Sequence, residues 1–326
     1  MKIGIDIGGS HIGIGLLDNE NLLIKKKERD IEEIGRAESA ILEYIDENIE
    51  DLKEHYHIDL IGIATPGNTK GKCMKNLVNL NIPKLDFTNL MEKNKEIIFQ
   101  IKNDAKAAGI AEMKYGALKD YNDAVFLCLG TGIGSAVFMD NELLKSNRNT
   151  GFELGHMIID KNGLKCSCGK RGCFETYCSM KRFKENICNI FNFDNLSSEE
   201  LKDILEEIFF IKKENGKVCI FNEETKLDEE EYLKGKIIIK KDDMIKAREI
   251  IEQYIKDLIV GISNVIDIFE PQAICLGGGF VHFKNIFYDK LVQEMNRKRY
   301  VFNKDEIPDI VLAELKNDAG IIGSVM

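Results

Sequence analysis

The stretches GGSHIGIGLLDNENLL, residues 8–23, and GTGIGSAVFMDNELL, residues 130–144, follow one pattern. At an offset of 122 residues, Gly8 aligns with Gly130, and the polar run starting at Asp18 aligns with the one starting at Asp140. Each stretch follows an apolar run, IGIDI or VFLCL, turns at glycines and returns through apolar residues to Asp-Asn. Both stretches therefore predict a β-hairpin.

Two hairpins that open two halves of the chain predict a duplicated α/β unit, with the glycine turns facing each other across a cleft. Glycine suits a turn beside phosphate, because the missing Cβ lets backbone N–H groups approach an anion. The alternative for each turn is a tight hairpin without a ligand. Neither turn has the pattern of a P-loop or of a dinucleotide-binding turn.

The surrounding pattern alternates strands with helices. Residues 36–54 have apolar positions at helical spacing, and LIGIATPG, residues 60–67, predicts a buried strand that ends in a Pro-Gly turn. Residues 250–271 predict a long amphipathic helix that stops at Pro271, and AICLGGG, residues 273–279, predicts a strand and a glycine turn. The fold class is therefore doubly wound α/β.

Composition limits the classes of function. The 326 residues suffice for two domains, and the net charge of −10 argues against general affinity for nucleic acid, although it does not exclude a local basic patch. The start, MKIGIDIGG, lacks the features of a signal peptide, and no apolar run reaches the ~20 residues needed to span a bilayer. We expect a cytoplasmic protein that is not inserted in a membrane.

The segment from about 181 to 246 differs from the rest, because it is dense in Lys and Glu. It predicts a solvated face or an inserted subdomain, and KIIIKKDD, residues 236–243, only weakly predicts a strand. No function is assigned to it.

Three of the nine cysteines lie in CSCGKRGCFE, residues 166–175. In a cytosolic chain, clustered cysteines indicate thiols or metal ligands before disulfides. With His156 of GFELGH they make a one-His, three-Cys set typical of structural zinc, the ligands being Cys166, Cys168 and Cys173. The alternative is a reduced loop without metal. Cys178 is left out of the set, and the remaining cysteines are interpreted as structural: Cys73, Cys128, Cys188, Cys219 and Cys275.

Two further motifs carry candidate chemistry. Glu153 and His156 are three residues apart, so a helical turn would place both side chains on one side. In IKNDAKAAGIAE, residues 101–112, a strand-like run meets Asn103 and Asp104. A carboxylate at the carboxyl end of a strand is a candidate general base, and the alternative for Asp104 is a helix N-cap.

Taken together, these motifs resemble the ROK sugar kinases of the actin/hexokinase-like ATPase superfamily. The similar stretches are IDIGG, NDAKAA, LGTGIGSA, GFELGH, CSCGKRGCFET and LGGG. The resemblance extends from Lys2 to the C-terminal GIIGSV and is weak only between about 181 and 246. It implies two lobes of duplicated ribonuclease H-like units with a cleft between them. The first lobe would be residues 1–118, completed by a helix near 317–326, and the second 119–316, with a zinc loop at 156–175.

The resemblance also implies roles for single residues. Asp104 matches the catalytic base that draws the proton from the attacking sugar hydroxyl. Asp6 matches the acidic residue that reaches magnesium through water. The phosphate-facing turns would contain Gly8, Gly9, Ser10, Thr131 and Gly132, and the turn near the nucleoside Gly278 and Gly279. Sugar hydroxyls would be bound by Asn103, Asp104, Glu153, His156 and Glu175, with Gly67 nearby. Zinc would be structural and would hold the loop of His156 and Glu175.

Two positions depart from the family pattern. Ser10 stands in place of the more usual Thr and keeps a hydroxyl at the phosphate. His11 stands where Lys or Asn is common, and at neutral pH it carries less positive charge than Lys.

The expected function is ATP-dependent phosphorylation of a hexose, most simply glucose at O6, with Mg2+ and structural zinc as cofactors. Allose, fructose, mannose, N-acetylglucosamine and N-acetylmannosamine are alternative substrates. A sugar-responsive repressor is an alternative class, disfavoured because IDIGG begins almost at Met1, and a non-catalytic binding module is another. The resemblance further implies a homodimer or homotetramer without a nucleic-acid partner.

Overall fold

The computed structural model describes residues 1–77, 80–146, 151–193, 196–208, 212–214, 217–219, 241–297 and 307–326. Its first half begins with a hairpin and then alternates helices with strands. The elements up to the first crossover are β1 (Lys2–Ile7), β2 (His11–Leu17), β3 (Leu23–Asp30), α1 (Ile31–Ile34), α2 (Glu38–His55), β4 (Leu60–Thr65), β5 (Asn68–Lys70), β6 (Cys73–Leu77), β7 (Ile82–Asp86), α3 (Thr88–Lys93), β8 (Ile98–Asn103) and α4 (Asp104–Tyr115).

The second half repeats this start and adds a larger helical layer. Its elements are β9 (Ala124–Leu129), β10 (Ile133–Met139), β11 (Glu142–Leu143), α5 (Phe174–Cys178), α6 (Met180–Phe191), α7 (Ser198–Ile208), β12 (Lys212–Glu214), β13 (Lys217–Cys219), α8 (Lys241–Phe269), β14 (Ala273–Gly278), α9 (Lys284–Met295), β15 (Asp309–Leu312) and α10 (Asp318–Ser324). Short 3-10 helices cover Leu154–His156 and Gly279–Phe283.

The two main sheets have the same topology. Their strand orders are β3-β2-β1-β4-β8 and β11-β10-β9-β14-β15. In each sheet the hairpin strands are antiparallel, and the remaining strands run parallel to the central one. The predicted duplication and both predicted hairpins are therefore confirmed, and so is the doubly wound α/β class.

The two hairpins differ by one residue at the turn. Ile7 pairs with Ile12 across the first turn, whereas Leu129 pairs with Ile133 across the second. The second turn is therefore one residue shorter, and on the returning strand the structural offset is 121 residues instead of 122.

The predicted helices and strands outside the hairpins are also present. The helix over 36–54 corresponds to α2, the strand from Leu60 to β4, and the helix up to Pro271 to the C-terminal part of α8, which begins at Lys241. In KIIIKKDD, residues 236–240 lie outside the described residues, and the last three begin α8, so the strand prediction is wrong there.

Each sheet has its own apolar core. In the first, α2 packs against the central strands through Ile41, Ile45 and Ile49. In the second, α5, α6, α8 and α9 build a larger core, in which the ring of Phe183 meets those of Tyr254 and Phe287 at 5.1 and 4.8 Å. No helix among the described residues is long and apolar enough to cross a membrane.

The C-terminal helix α10 returns to the first sheet. A Cβ on Gly4 or on Gly62 would collide with the backbone of α10, at Ile321 and Ser324 respectively. These glycines therefore let α10 lie directly on β1 and β4. The lobe boundary near residue 118 stays a prediction.

Two connecting segments, here called crossovers, join the sheets: the first runs from α4 to β9 and the second from β15 to α10. Glu112 of α4 binds both of them. Its buried carboxylate accepts hydrogen bonds from Ala117 N–H at 2.9 Å in the first crossover. In the second it accepts from Glu314 N–H at 3.2 Å and Leu315 N–H at 2.8 Å. Backbone donors therefore satisfy this buried carboxylate.

Candidate functional site

Three strand ends of the first sheet come together at one edge of that sheet. Asp6 of β1 is in register with Ala64 of β4, and Thr65 of β4 is in register with Asn103 of β8. Gly67 follows two residues after Thr65 with a positive φ of 94°. Of the residues predicted to bind sugar or metal, the fold thus brings Asp6, Gly67 and Asn103 to one edge of the sheet.

Asp104 is the first residue of α4, and it is not the N-cap. The cap is Asn103, whose side chain accepts a hydrogen bond from Lys106 N–H at 3.2 Å. The N-cap alternative for Asp104 is therefore wrong. Burial raises the pKa of Asp104, the N–H of Ala105 at 2.8 Å opposes that rise, and the charge of Glu153 adds to it.

Asp6 lies in a cluster with an excess of negative charge. Burial, followed by the charges of Asp104 and Glu28, raises its pKa to about 7, and only Lys26 opposes the shift. The ammonium of Lys26 is itself shared between Asp318 Oδ1 at 2.7 Å and Glu28 Oε1 at 3.1 Å. Carboxylates that repel one another are a suitable setting for a divalent cation with oxygen ligands, so the residues present fit Mg2+.

The first glycine turn is closed by its own backbone. Gly8 N–H donates to His11 O at 2.9 Å, and Arg36 Nη2 donates to Gly9 O at 3.4 Å. The side chains of Ser10 and His11 meet at 3.1 Å between Oγ and Nδ1, and His11 Nε2 lies 3.9 Å from Glu28 Oε1. The departure at His11 therefore adds an imidazole to the acidic cluster.

The second glycine turn contacts the cysteine loop. Gly130 N–H donates to Gly132 O at 2.9 Å, and Ile133 N–H donates to Glu175 Oε2 at 2.9 Å. A Cβ on Gly132 would collide with the Glu175 carboxylate, so a larger residue there would have to displace that carboxylate. Thr131 is exposed in the same turn. One oxygen of Glu175 is thus already bonded to the turn predicted to face phosphate.

Gly278 ends β14 beside the second turn. It is in register with Leu129 of β9, has a positive φ of 69°, and approaches the carbonyl of Leu129 and the thiol of Cys128. Gly279 begins the following 3-10 helix and lies against Met180. The third glycine turn is therefore adjacent to the second.

Cys128 was predicted to be structural, yet its thiol lies near the candidate carboxylates. Burial, followed by the charges of Asp104 and Asp6, raises its pKa to about 12. The thiol therefore stays neutral at physiological pH.

The four predicted zinc ligands come together. His156 Nδ1 lies 3.7 Å from Cys166 Sγ, Cys168 Sγ lies 3.6 Å from Cys173 Sγ, and all four ligand atoms lie within 4.8 Å of one another. Zn–S bonds of about 2.3 Å in a tetrahedron separate two sulfurs by about 3.8 Å, so the set fits zinc. Among the described residues no other such set of ligands occurs, and Cys178, buried nearby, is outside it.

Glu153 immediately precedes the short 3-10 helix Leu154–His156, and His156 is its last residue. Ser135 of β10 fixes the start of this segment, because its Oγ donates to Phe152 O at 2.5 Å and accepts from Leu154 N–H at 3.2 Å. Phe152 has a positive φ of 52°, which a bulky residue rarely adopts. The Ser135 hydroxyl thus helps to hold the segment that carries Glu153 in an unusual conformation.

The residue-by-residue prediction missed Lys106. It stands two positions after Asp104 in NDAKAA, it is only 6% exposed, and its ammonium donates to the backbone oxygen of Ser135. A lysine among alanines at the start of a helix was the only signal in the sequence, and helical spacing alone does not tell which helix face is buried.

The chain is related over its whole length to one family of proteins. The ROK family model matches residues 2–326. The chain belongs to the ROK family. This fits the shared strand order of the two sheets and confirms the predicted actin/hexokinase-like fold.

Relatives within the ROK family include enzymes and regulators. The chain is 24% identical over 338 residues to a glucokinase of Streptomyces coelicolor, covering 99% of this chain and 96% of that protein. It is 25% identical over 303 residues to a xylose repressor of Bacillus spizizenii, covering 92% of this chain and 69% of the repressor. Both classes of protein therefore share this domain.

Solved structures support the fold. A ROK family glucokinase from Streptomyces griseus, in complex with glucose and AMPPNP, superposes with a TM-score of 0.73 at 20% identity, covering 99% of this chain and 97% of that one. A ROK family transcriptional regulator superposes with a TM-score of 0.74 at 19% identity, covering 99% and 76%.

Proposed function

We propose that this ROK protein phosphorylates a hexose with ATP, glucose being the leading candidate and O6 the acceptor. The observation that carries the proposal is the position of Asp104. This carboxylate follows the end of β8, and its charge acts on Asp6 and on Cys128, which lie two residues before the first and the second glycine turn. Since phosphoryl transfer depends on positioning and charge neutralisation, a base between two anion-binding turns is the arrangement that it requires.

In this proposal Asp104 accepts the proton of the sugar hydroxyl as that oxygen attacks the γ-phosphorus of ATP. Backbone N–H groups of the two turns hold the phosphates, with Gly8, Gly9, Ser10, Thr131 and Gly132 at the contact. Gly278 and Gly279 border the nucleoside. Asp6 holds Mg2+ through water, and the ion supplies neutralisation of the phosphate charge.

The sugar would be held by side chains that both donate and accept hydrogen bonds. Asn103, Glu153, His156 and Glu175 supply these groups, with Gly67 beside them. A carboxylate that binds two neighbouring hydroxyls discriminates between sugar epimers. Structural zinc on His156, Cys166, Cys168 and Cys173 would fix the loop that carries two of these residues.

The organisation proposed with this function is two lobes, residues 1–118 with 317–326 and residues 119–316, that close over the substrates and exclude water from the γ-phosphate. We further propose a cytoplasmic homodimer or homotetramer. Other hexoses stay alternatives, and similarity to a xylose repressor keeps a sugar-responsive regulator as the second candidate.

The test is the rate of ADP formation from Mg-ATP across glucose, mannose, allose, fructose, N-acetylglucosamine and N-acetylmannosamine. We expect one sugar to be clearly preferred. Asp104→Asn should lower that rate by about 100-fold or more, because it removes the base, while calorimetry shows retained sugar binding. Asp120→Asn, at an exposed position, serves as the matched control.

Two results would contradict the proposal. If no sugar raises the wild-type rate above background in zinc-replete protein, the kinase assignment is wrong, and a promoter-binding assay at physiological salt becomes the next test of the regulator. If Asp104→Asn retains activity within a few-fold, Asp104 is not the base.

A further inference from the structure

Lys106 is a buried cation at the centre of the candidate site. Its side chain is 6% exposed, and its ammonium donates to the backbone oxygen of Ser135 on β10. Among the described residues no carboxylate lies within 4 Å of that ammonium. A buried ammonium without a close counter-ion is costly for the fold, because desolvation disfavours its charge.

The charges around Lys106 offset part of that cost. Burial lowers the pKa of Lys106, whereas the carboxylates of Glu153 and Asp104 raise it. In turn, Lys106 lowers the pKa of Asp104, against the effects of burial and of Glu153. The ammonium therefore belongs to the same electrostatic group as the candidate base and one candidate sugar ligand.

The contacts of Lys106 also reach the sugar side through one residue. The backbone oxygen of Ser135 accepts from Lys106, and the hydroxyl of Ser135 holds Phe152 and Leu154 on either side of Glu153. Helix α4 carries Asp104 at its start, so this chain of hydrogen bonds connects the base to the segment of Glu153.

We propose that Lys106 is a positioning residue of the phosphorylation reaction, which offsets the negative charge of Asp104 and Glu153 and holds the Glu153 segment against α4. The inference rests on the proposed kinase function and adds to it a residue that does not touch the reacting atoms. The other titratable groups that act on Asp104 or respond to its charge are Asp6 on β1 and Cys128 on β9.

The test compares Lys106→Met with Lys114→Met, an exposed lysine on the same helix. Without the ammonium, Asp104 should hold its proton to higher pH, so activity should be lost on the acid side of the profile. We expect kcat/KM for the sugar in Lys106→Met to be lowered about tenfold more at pH 6 than at pH 8.5, relative to wild type. Lys114→Met should have the wild-type kcat/KM at both pH values.

A second pair of measurements separates this role from packing. Methionine has a similar shape and no charge to desolvate, so thermal unfolding of Lys106→Met should occur at the wild-type temperature or above it. Lys106→Arg keeps the charge and should retain the wild-type pH profile. If Lys106→Met does not fold, Lys106→Gln takes its place in the same comparison.

The inference is wrong if the neutral variants lose activity equally at both pH values, or if Lys106→Arg shows the same acid-side loss as they do. Either result would mean that Lys106 acts through packing alone. A wild-type protein without sugar-dependent turnover would instead contradict the proposed function, so the two failures are distinguishable.

Discussion

The two halves of the molecule share a topology and differ in charge at the same position. Asp6 stands one residue before the end of β1, and its counterpart 122 residues later, Cys128, stands one residue before the end of β9. Each is paired with a glycine of the returning strand, Gly13 or Gly134. One is a carboxylate whose pKa is raised to about 7, and the other a thiol whose pKa is raised to about 12. The duplicated scaffold thus provides two equivalent positions, and only the one in the first sheet carries a carboxylate.

The largest effect should come from neutralising the first position. Asp6→Asn removes the carboxylate proposed to hold hydrated magnesium, so we expect kcat for sugar-dependent ADP formation to fall by about 100-fold or more. Cys128→Ser replaces a neutral group by a neutral group of similar size and should change kcat by less than about twofold. Steady-state assays of both variants measure this effect. Equal losses of kcat in the two variants would contradict the proposed difference between Asp6 and Cys128.

Zinc should matter for the second half, since the cysteine loop contacts the second turn through Glu175. Cys168 is the exposed member of the set, so Cys168→Ser removes a ligand with little loss of packing. We expect its zinc content to fall well below one per chain and kcat/KM for the sugar to fall about tenfold or more. Cys73→Ser, outside the set, is the control, and full activity in zinc-free protein would count against the role of the loop.

A packing difference accompanies the electrostatic one. At the position where the first sheet has Gly4, the second has Phe126. The first sheet needs a glycine there because α10 lies directly on β1. Gly4→Ala should lower the free energy of unfolding by about 1–3 kcal/mol, measured by denaturant titration. Gly130→Ala is the control, because no heavy atom lies within 4 Å of its added Cβ. Equal free energies of unfolding for the two variants would show that α10 can shift away from β1 at little cost.

The smallest effect concerns pH. In the folded chain the pKa of Asp6 is raised from its ordinary 3.8 to about 7, so the contribution of Asp6 to stability falls as pH rises between these values. In metal-free protein, wild type should therefore lose more stability than Asp6→Asn between pH 5 and pH 8. Added Mg2+ should restore the lost stability at pH 8 in wild type but not in Asp6→Asn. Parallel unfolding curves for the two proteins would refute this assignment.

The sequence predicted those features that depend on local patterns. Glycines between apolar runs predicted both hairpins, and the spacing of His156 and three cysteines predicted a cluster that the fold brings together. What it missed depends on contacts between distant segments. Nothing near Lys106 shows that Ser135 will receive its ammonium, and nothing near Gly4 shows that α10 will cover it. Nothing near Cys128 in the sequence shows that the charges of Asp104 and Asp6 will act on its thiol, because those residues lie on other elements, and its structural role stays a prediction.

Glu112 gives helix α4 a second role besides presenting Asp104. Its carboxylate accepts hydrogen bonds from backbone N–H groups of both crossovers. The two connecting segments are therefore bound to one side chain at the C-terminal end of the helix. A change in the angle between the sheets must then bend both crossovers together about that point. Asp104, at the opposite end of α4, would keep a fixed distance from Glu112 during such a change, because both residues lie on one helix.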